Sequence, residues 1–134
     1  MSIAMAARPV ETLPLGFLRL TRGVLATAAL ITAHGELDAR TARTLVNVVD
    51  DVAHHHDALI VDLGELAFFG TEGLWALNRI KAACVKHGLT AAIVAGPEVE
   101  RVLRICDPAG ALGLVATLDR AVSIVLDRSS ANSR

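Results

Sequence analysis

The sequence predicts a single α/β domain on a mixed sheet, with a β-hairpin first, then parallel strands joined by right-handed crossovers, and about four helices. Three observations predict it. Short apolar, β-rich runs stand at residues 16–22, 26–34, 59–63, 89–95 and 114–117. After the first two runs, stretches with apolar residues at helical spacing separate or follow them. Turn and capping residues stand at the junctions. The order β-β-α-β-α-β-α-β-α makes the later strands parallel neighbours, and such connections are right-handed.

Each element has a local reason. Arg22-Gly23 reads as the turn of the hairpin. Asp38 is placed to cap the next helix, in which Ala42, Leu45, Val46, Val49, Val52 and Ala53 form one apolar stripe. Residues 59–63 form a buried strand with Asp62 as its charge, and Phe68 and Phe69 keep the chain in the core. From Leu74 the period changes to about 3.6, so the amides of Thr71, Glu72 and Gly73 are expected as donors without helical partners. Gly96-Pro97 opens a third helix through Val99, Val102, Leu103 and Cys106, which Asp107-Pro108 and Gly110 close. Asp119 caps a last helix whose Val122, Val125 and Leu126 face inward. Residues 1–14 are read as an N-terminal extension, 15–128 as the domain and 129–134 as a disordered polar tail.

Composition narrows the function. At 134 residues the chain is long enough for one proper core. It is 53% hydrophobic, yet no stretch approaches the roughly 18 apolar residues of a membrane span. The first residues lack the order of a secretory signal, so a cytoplasmic protein without direct membrane insertion is expected. A net charge of −1 and a pI near 6.5 argue against nucleic acid as a partner. Three Phe, one Trp and no Tyr leave little for base stacking.

No His stands beside a nucleophile motif, and Glu36, Asp38 and Asp62 form no evident acid/base pair. No phosphate loop of the Gly-x-x-x-x-Gly-Lys type is present. The expectation is therefore a non-enzyme without a cofactor. His54-His55-His56 point in three directions about 100° apart on a helix, a poor chelate, and no metal site is expected. Cys84 and Cys106 fall on apolar faces of two different helices, read as two buried thiols. Their sharper reading is a redox pair, which requires alpha carbons within about 7 Å.

Two stretches carry a resemblance. The first is Asp62-Leu63-Gly64 followed by Phe68-Phe69-Gly70-Thr71-Glu72-Gly73-Leu74-Trp75, and the second is Gly35-Glu36-Leu37-Asp38 with Thr41-Ala42 behind it. Together they resemble the two landmarks of the STAS family, the domain of bacterial anti-sigma factor antagonists, over about residues 15–127. The resemblance implies a binding module that sequesters an anti-sigma factor, often itself a serine kinase, and so frees a sigma factor. It also implies Thr71 as the counterpart of the family's phosphorylated Ser, with Glu36, Asp38, Gly70, Thr71, Glu72, Gly73, Trp75 and Arg79 as the partner-binding surface. A monomer or weak dimer is expected. Stand-alone domains of the family are also similar to subunits that bind the ATPase of a lipid-transport ABC complex, which gives one alternative, and a scaffold piece of a stress-signalling assembly is another.

The motif departs from the family at three places. Gly70 replaces the Asp before the acceptor, removing a carboxylate that would orient the hydroxyl. Glu72 replaces a Ser or Thr and sets a permanent charge beside Thr71, where it would also favour the helix dipole by some 0.3 to 1 kcal/mol. Trp75 replaces a small residue, on the helix side that carries Arg79, Ala82 and Lys86 rather than on the Leu74, Leu77, Ile80, Cys84 face. It reads either as a partner anchor or as a ring folded over neighbouring aliphatic surface. Thr71 has a second explanation too, as an N-cap hydroxyl.

Overall fold

A computed structural model describes residues 5–12 and 18–132, with side chains from 18 to 128. Its strands are β1 (Met5–Thr12), β2 (Leu18–Leu25), β3 (Ala28–Leu37), β4 (Ala58–Asp62), β5 (Leu66–Phe69) and β6 (Thr90–Val94), and its helices α1 (Ala42–Ala53), α2 (Thr71–Lys86), α3 (Gly96–Cys106) and α4 (Leu118–Asn132). The expected α/β class with a mixed sheet and four helices is what is found. The sheet runs β1-β2-β3-β4-β6, antiparallel for β1–β2 and β2–β3 and parallel for β3–β4 and β4–β6. β5 pairs with β3 in parallel where β4 leaves off, so one edge of β3 carries two strands in succession.

Alternation along the strands separates two apolar layers. Leu59 and Val61 face α1, α2 and α3, in a core that also holds Ile31, Leu37, Leu45, Val49, Leu77, Ile80 and Val99. Ala58 and Ile60 face the other way, onto Ala121, Val122 and Val125 of α4. Three helices therefore cover one face and one helix the other, which leaves β4 buried on both sides.

Several expectations are corrected. The hairpin turns at Ala26-Thr27, not Arg22-Gly23: Leu25 pairs with Ala28, and Ala26 and Thr27 hold positive φ of 50° and 69°, a two-residue turn whose twist suits the strands. Gly23 lies inside β2 between Ala7 and Leu30. The expected strand start at Gly16 lies outside the described residues. Residues 5–12, read as an extension, pair with β2 as an edge strand. The expected strand at 114–117 is reduced to one parallel bridge, Val94 to Val115. α4 runs on through Asn132, past Ser129 where a polar tail was expected.

Gly96 is a tight point of the packing. Its φ is +77°, and a Cβ there would lie 2.5 Å from the Cα of Gly64. The ends of β4 and β6 approach this closely because neither residue has a side chain.

Candidate functional site

The site is built where β3 and β5 end and α1 and α2 begin. Leu37 pairs with Phe69, and the next amide, Gly70, donates to the Leu37 carbonyl at 2.9 Å. The two motifs, more than thirty residues apart in sequence, thus share one rim of the sheet. That rim is the carboxyl end of parallel strands, where open α/β sheets place their sites.

On the α1 side, Asp38 accepts the Arg40 amide at 2.9 Å through Oδ1 and the Arg40 guanidinium at 2.9 Å through Oδ2. Arg40 also reaches Glu36 at 3.7 Å. This guanidinium holds the Asp38 carboxyl below its usual range. Asp38 was expected to cap α1, but the N-cap is Thr41, and Asp38 makes an Asx turn one step earlier. Thr41 is buried: its hydroxyl donates to the Glu36 carbonyl at 2.8 Å and accepts the Asp38 amide at 3.0 Å. These bonds lock the strand-to-helix corner, where the Glu36 side chain is exposed and the Asp38 side chain, 18% exposed, is largely covered by its own partners.

On the α2 side the helix starts three residues earlier than the period change suggested. Gly70 is the N-cap and makes no side-chain cap bond, so Thr71 is the first helical residue and not the cap. The amides of Thr71 and Glu72 stand at helix positions that reach no intrahelical acceptor. The Gly73 amide, expected among the donors without a partner, donates to the Gly70 carbonyl at 2.9 Å. The exposed Thr71 hydroxyl donates to Glu72 Oε2 at 3.2 Å. Glu72 therefore supplies the carboxylate contact that Gly70 cannot. A Cβ on Gly73 would fall 2.3 Å from the buried Phe69 ring, so only glycine lets the helix start lie this close to β5.

Trp75 is 41% exposed one turn along. Two guanidinium groups lie over its ring, Arg43 at 5.9 Å and Arg79 at 5.8 Å from the centroid. Ala39, Ala42, Arg43, Glu72 and Trp75 line a shallow cleft of about 180 Å³ between the two helices. Phe68, expected in the core, is 47% exposed, while Phe69 is buried. The register of β5 against β3 shifts between Leu66 and Phe68, so Leu66 and Phe69 both reach the core while Ala67 and Phe68 stay outside, and the Phe68 ring comes out beside Gly70.

Glu36, Asp38, Gly70, Thr71, Glu72, Gly73, Trp75 and Arg79 thus fall at the end of β3, in the corner before α1 and along the first three turns of α2. Sequence reasoning missed Arg40, Arg43 and Phe68. Arg43 had a signal, since it lies five residues past Asp38 on the polar side of α1. Cys84 is a buried free thiol, pushed up in pKa by burial, but Cys106 is exposed, contrary to the expectation of two buried thiols. Cys106 is the last residue of α3, beyond the Val99, Val102 and Leu103 stretch that packs inward.

The model of the STAS domain matches residues 21–121. The chain belongs to the STAS domain family. No curated protein matches the sequence. Among solved structures, this STAS domain resembles an anti-sigma factor antagonist from Mycobacterium paratuberculosis, with a TM-score of 0.64, 24% identity and coverage of 92% of this chain and 94% of that one. It also resembles the anti-sigma factor antagonist SpoIIAA in its unphosphorylated form, with a TM-score of 0.59, 15% identity and coverage of 91% and 97%. At these identities the likeness speaks for the fold. No helix among the described residues is long and apolar enough to cross a membrane.

Proposed function

We propose that this STAS domain is an anti-sigma factor antagonist, a non-catalytic protein-binding module that grips an anti-sigma factor with the rim formed by the starts of α1 and α2. The reading rests on Trp75. A large, half-exposed ring with the Arg43 and Arg79 guanidinium groups at 5.9 and 5.8 Å from its centroid, sharing a cleft with Glu72 on the rim that also carries exposed Phe68 and the carboxylates of Glu36 and Asp38, has the make-up of an interface anchor with a charged surround. Asp38 and Glu36 are engaged by Arg40, so their role is to present charge rather than to move protons. Binding takes place in the cytoplasm.

Control by phosphate at Thr71 is weak in this chain. In water two unit charges about 4 Å apart interact by about 1 kcal/mol, so a phosphoryl group of −1.5 to −2 beside Glu72 meets roughly 1.5 to 2 kcal/mol of opposition. Scaled to the same charge, the helix start returns some 0.5 to 2 kcal/mol. Glu72 thus takes back most of what the helix start offers a phosphate, and permanently supplies part of the charge that phosphorylation would bring.

Calorimetric titration with the serine-kinase anti-sigma factors of the source bacterium tests the reading. A one-to-one complex is expected, with little phosphate on Thr71 after ATP is added and more in Glu72→Ser, as read by mass spectrometry. Failure of every such anti-sigma factor to bind, alongside binding to an ABC-transporter ATPase, would overturn it.

A further inference from the structure

We propose that Asp50, His54 and His87 form a binding site for a divalent transition-metal ion of the Zn²⁺ class, a staple between the carboxyl ends of α1 and α2. The site is independent of the partner-binding rim. Asp50 and His54 lie four apart, so carboxylate and imidazole share one face of α1's last turn. His54 is the C-cap of α1 and His87 the C-cap of α2, and the two backbone amides are fixed by bonds to Asp51 and Ala83. All three side chains therefore hang on anchored helix ends.

The distances suit one ion. His87 Nε2 lies 3.5 Å from Asp50 Oδ1, and His54 Nε2 lies 3.9 Å from Asp50 Oδ2. The imidazole centroids are 4.3 Å apart, and one ligand atom from each of the three residues lies within 4.8 Å of the others. Ligands held at about 2.0–2.1 Å around a tetrahedral Zn²⁺ are separated by roughly 3.3–3.4 Å, so small side-chain rotations complete the set. His87 adds a second argument. Its side chain is only 16% exposed, and its Nε2 is shut off from solvent without a hydrogen-bond partner. A buried polar nitrogen left in that state costs free energy that a metal bond removes.

Ligand chemistry selects the ion. Two imidazoles and one carboxylate suit Zn²⁺, whereas Ca²⁺ and Mg²⁺ prefer oxygen shells. The carboxylate and His54 are more than half exposed, so an ion has an entry path and a fourth position open to water. His55 and His56, though adjacent in sequence, are outside the cluster.

The test is a Zn²⁺ titration of the chelator-stripped full chain in competition with a chromogenic chelator, repeated with Co²⁺ to read coordination from its visible bands. One equivalent is expected to bind at micromolar metal with a tetrahedral Co²⁺ spectrum. Replacing the exposed ligand, His54→Ala, is expected to weaken binding by more than the about 10–100-fold typical of losing a group behind a ligand. The control carrying both His55→Ala and His56→Ala is expected to bind as the parent does. His54→Ala should keep the parent circular dichroism, so its loss of binding is not a loss of fold. Absence of stoichiometric binding, or equal loss in the His55/His56 control, overturns the proposal.

Discussion

The amide of Gly70 donates to the carbonyl of Leu37 at 2.9 Å, and this one bond joins the corner before α1 to the corner before α2. Glu36 and Asp38 come from one corner, Thr71 and Glu72 from the other. The rim needs both, because the Trp75 ring on α2 is braced by Arg43 from α1.

Restoring an aspartate at the cap should stabilise the fold. Gly70 has φ −93° and ψ −179°, open to any residue, and a Cβ there meets the exposed Phe68 ring at 3.1 Å and the Glu72 carboxylate at 3.7 Å, both on side chains that can turn aside. Gly70→Asp supplies the missing side-chain cap, a gain over glycine of a few tenths of a kcal/mol. Thermal melting should rise by about 1–2 °C. A fall would mean that Phe68 cannot move aside.

Gly96→Ala should be severe. The substitution places a Cβ at φ +77° and within 2.5 Å of the Gly64 backbone, which no side-chain rotation relieves. A loss of more than about 2 kcal/mol in urea unfolding is expected. Gly88→Ala, at φ +67° but with nothing within 4 Å, should cost only the backbone strain of about 1–2 kcal/mol.

How far the sequence carried differs by element. Motifs with side-chain chemistry were legible: the apolar stripe of α1, Gly96-Pro97 at α3, and the two segments that Leu37 and Gly70 join. Features resting on backbone pairing were not. Ala26-Thr27 turns the chain with positive φ at two residues that rarely adopt it, so Arg22-Gly23 looked the better turn. β1 holds Arg8, Pro9 and Glu11 and shows no alternation in sequence, so only its backbone pairing with β2 identifies it. His87 lies more than thirty residues from His54, and only the parallel packing of α1 and α2 brings them together.

Acid should release Asp38 late. Arg40's hydrogen bond is the main cause that holds its pKa below the ordinary 3.8, so the folded chain keeps this carboxylate ionised at pH values where the unfolded chain protonates it. Its stabilising contribution is fully present above about pH 3.8 and is lost as pH falls through the folded value. A carbon-detected NMR titration should place the Asp38 midpoint below 3.8, and Arg40→Gln should move it upward. An unchanged midpoint would show that the pair does not persist in solution.

The two thiols should separate cleanly. Cys84 is buried, with its pKa raised by desolvation, and Cys106 is exposed. At neutral pH a thiol reagent should modify Cys106 rapidly and Cys84 only at the rate of opening or unfolding. Equal rates would mean that α2 opens from the sheet far more readily than its packing implies.

The most direct measurement is NMR chemical-shift mapping of the labelled chain with its anti-sigma factor, paired with calorimetry on Trp75→Ala. Shifts should concentrate at residues 36–43 and 68–79. Trp75→Ala should lose at least about 2 kcal/mol of affinity, roughly thirtyfold, while its unfolding midpoint stays near the parent value. Shifts confined to α3 or α4, or full affinity without the Trp75 ring, would contradict the account.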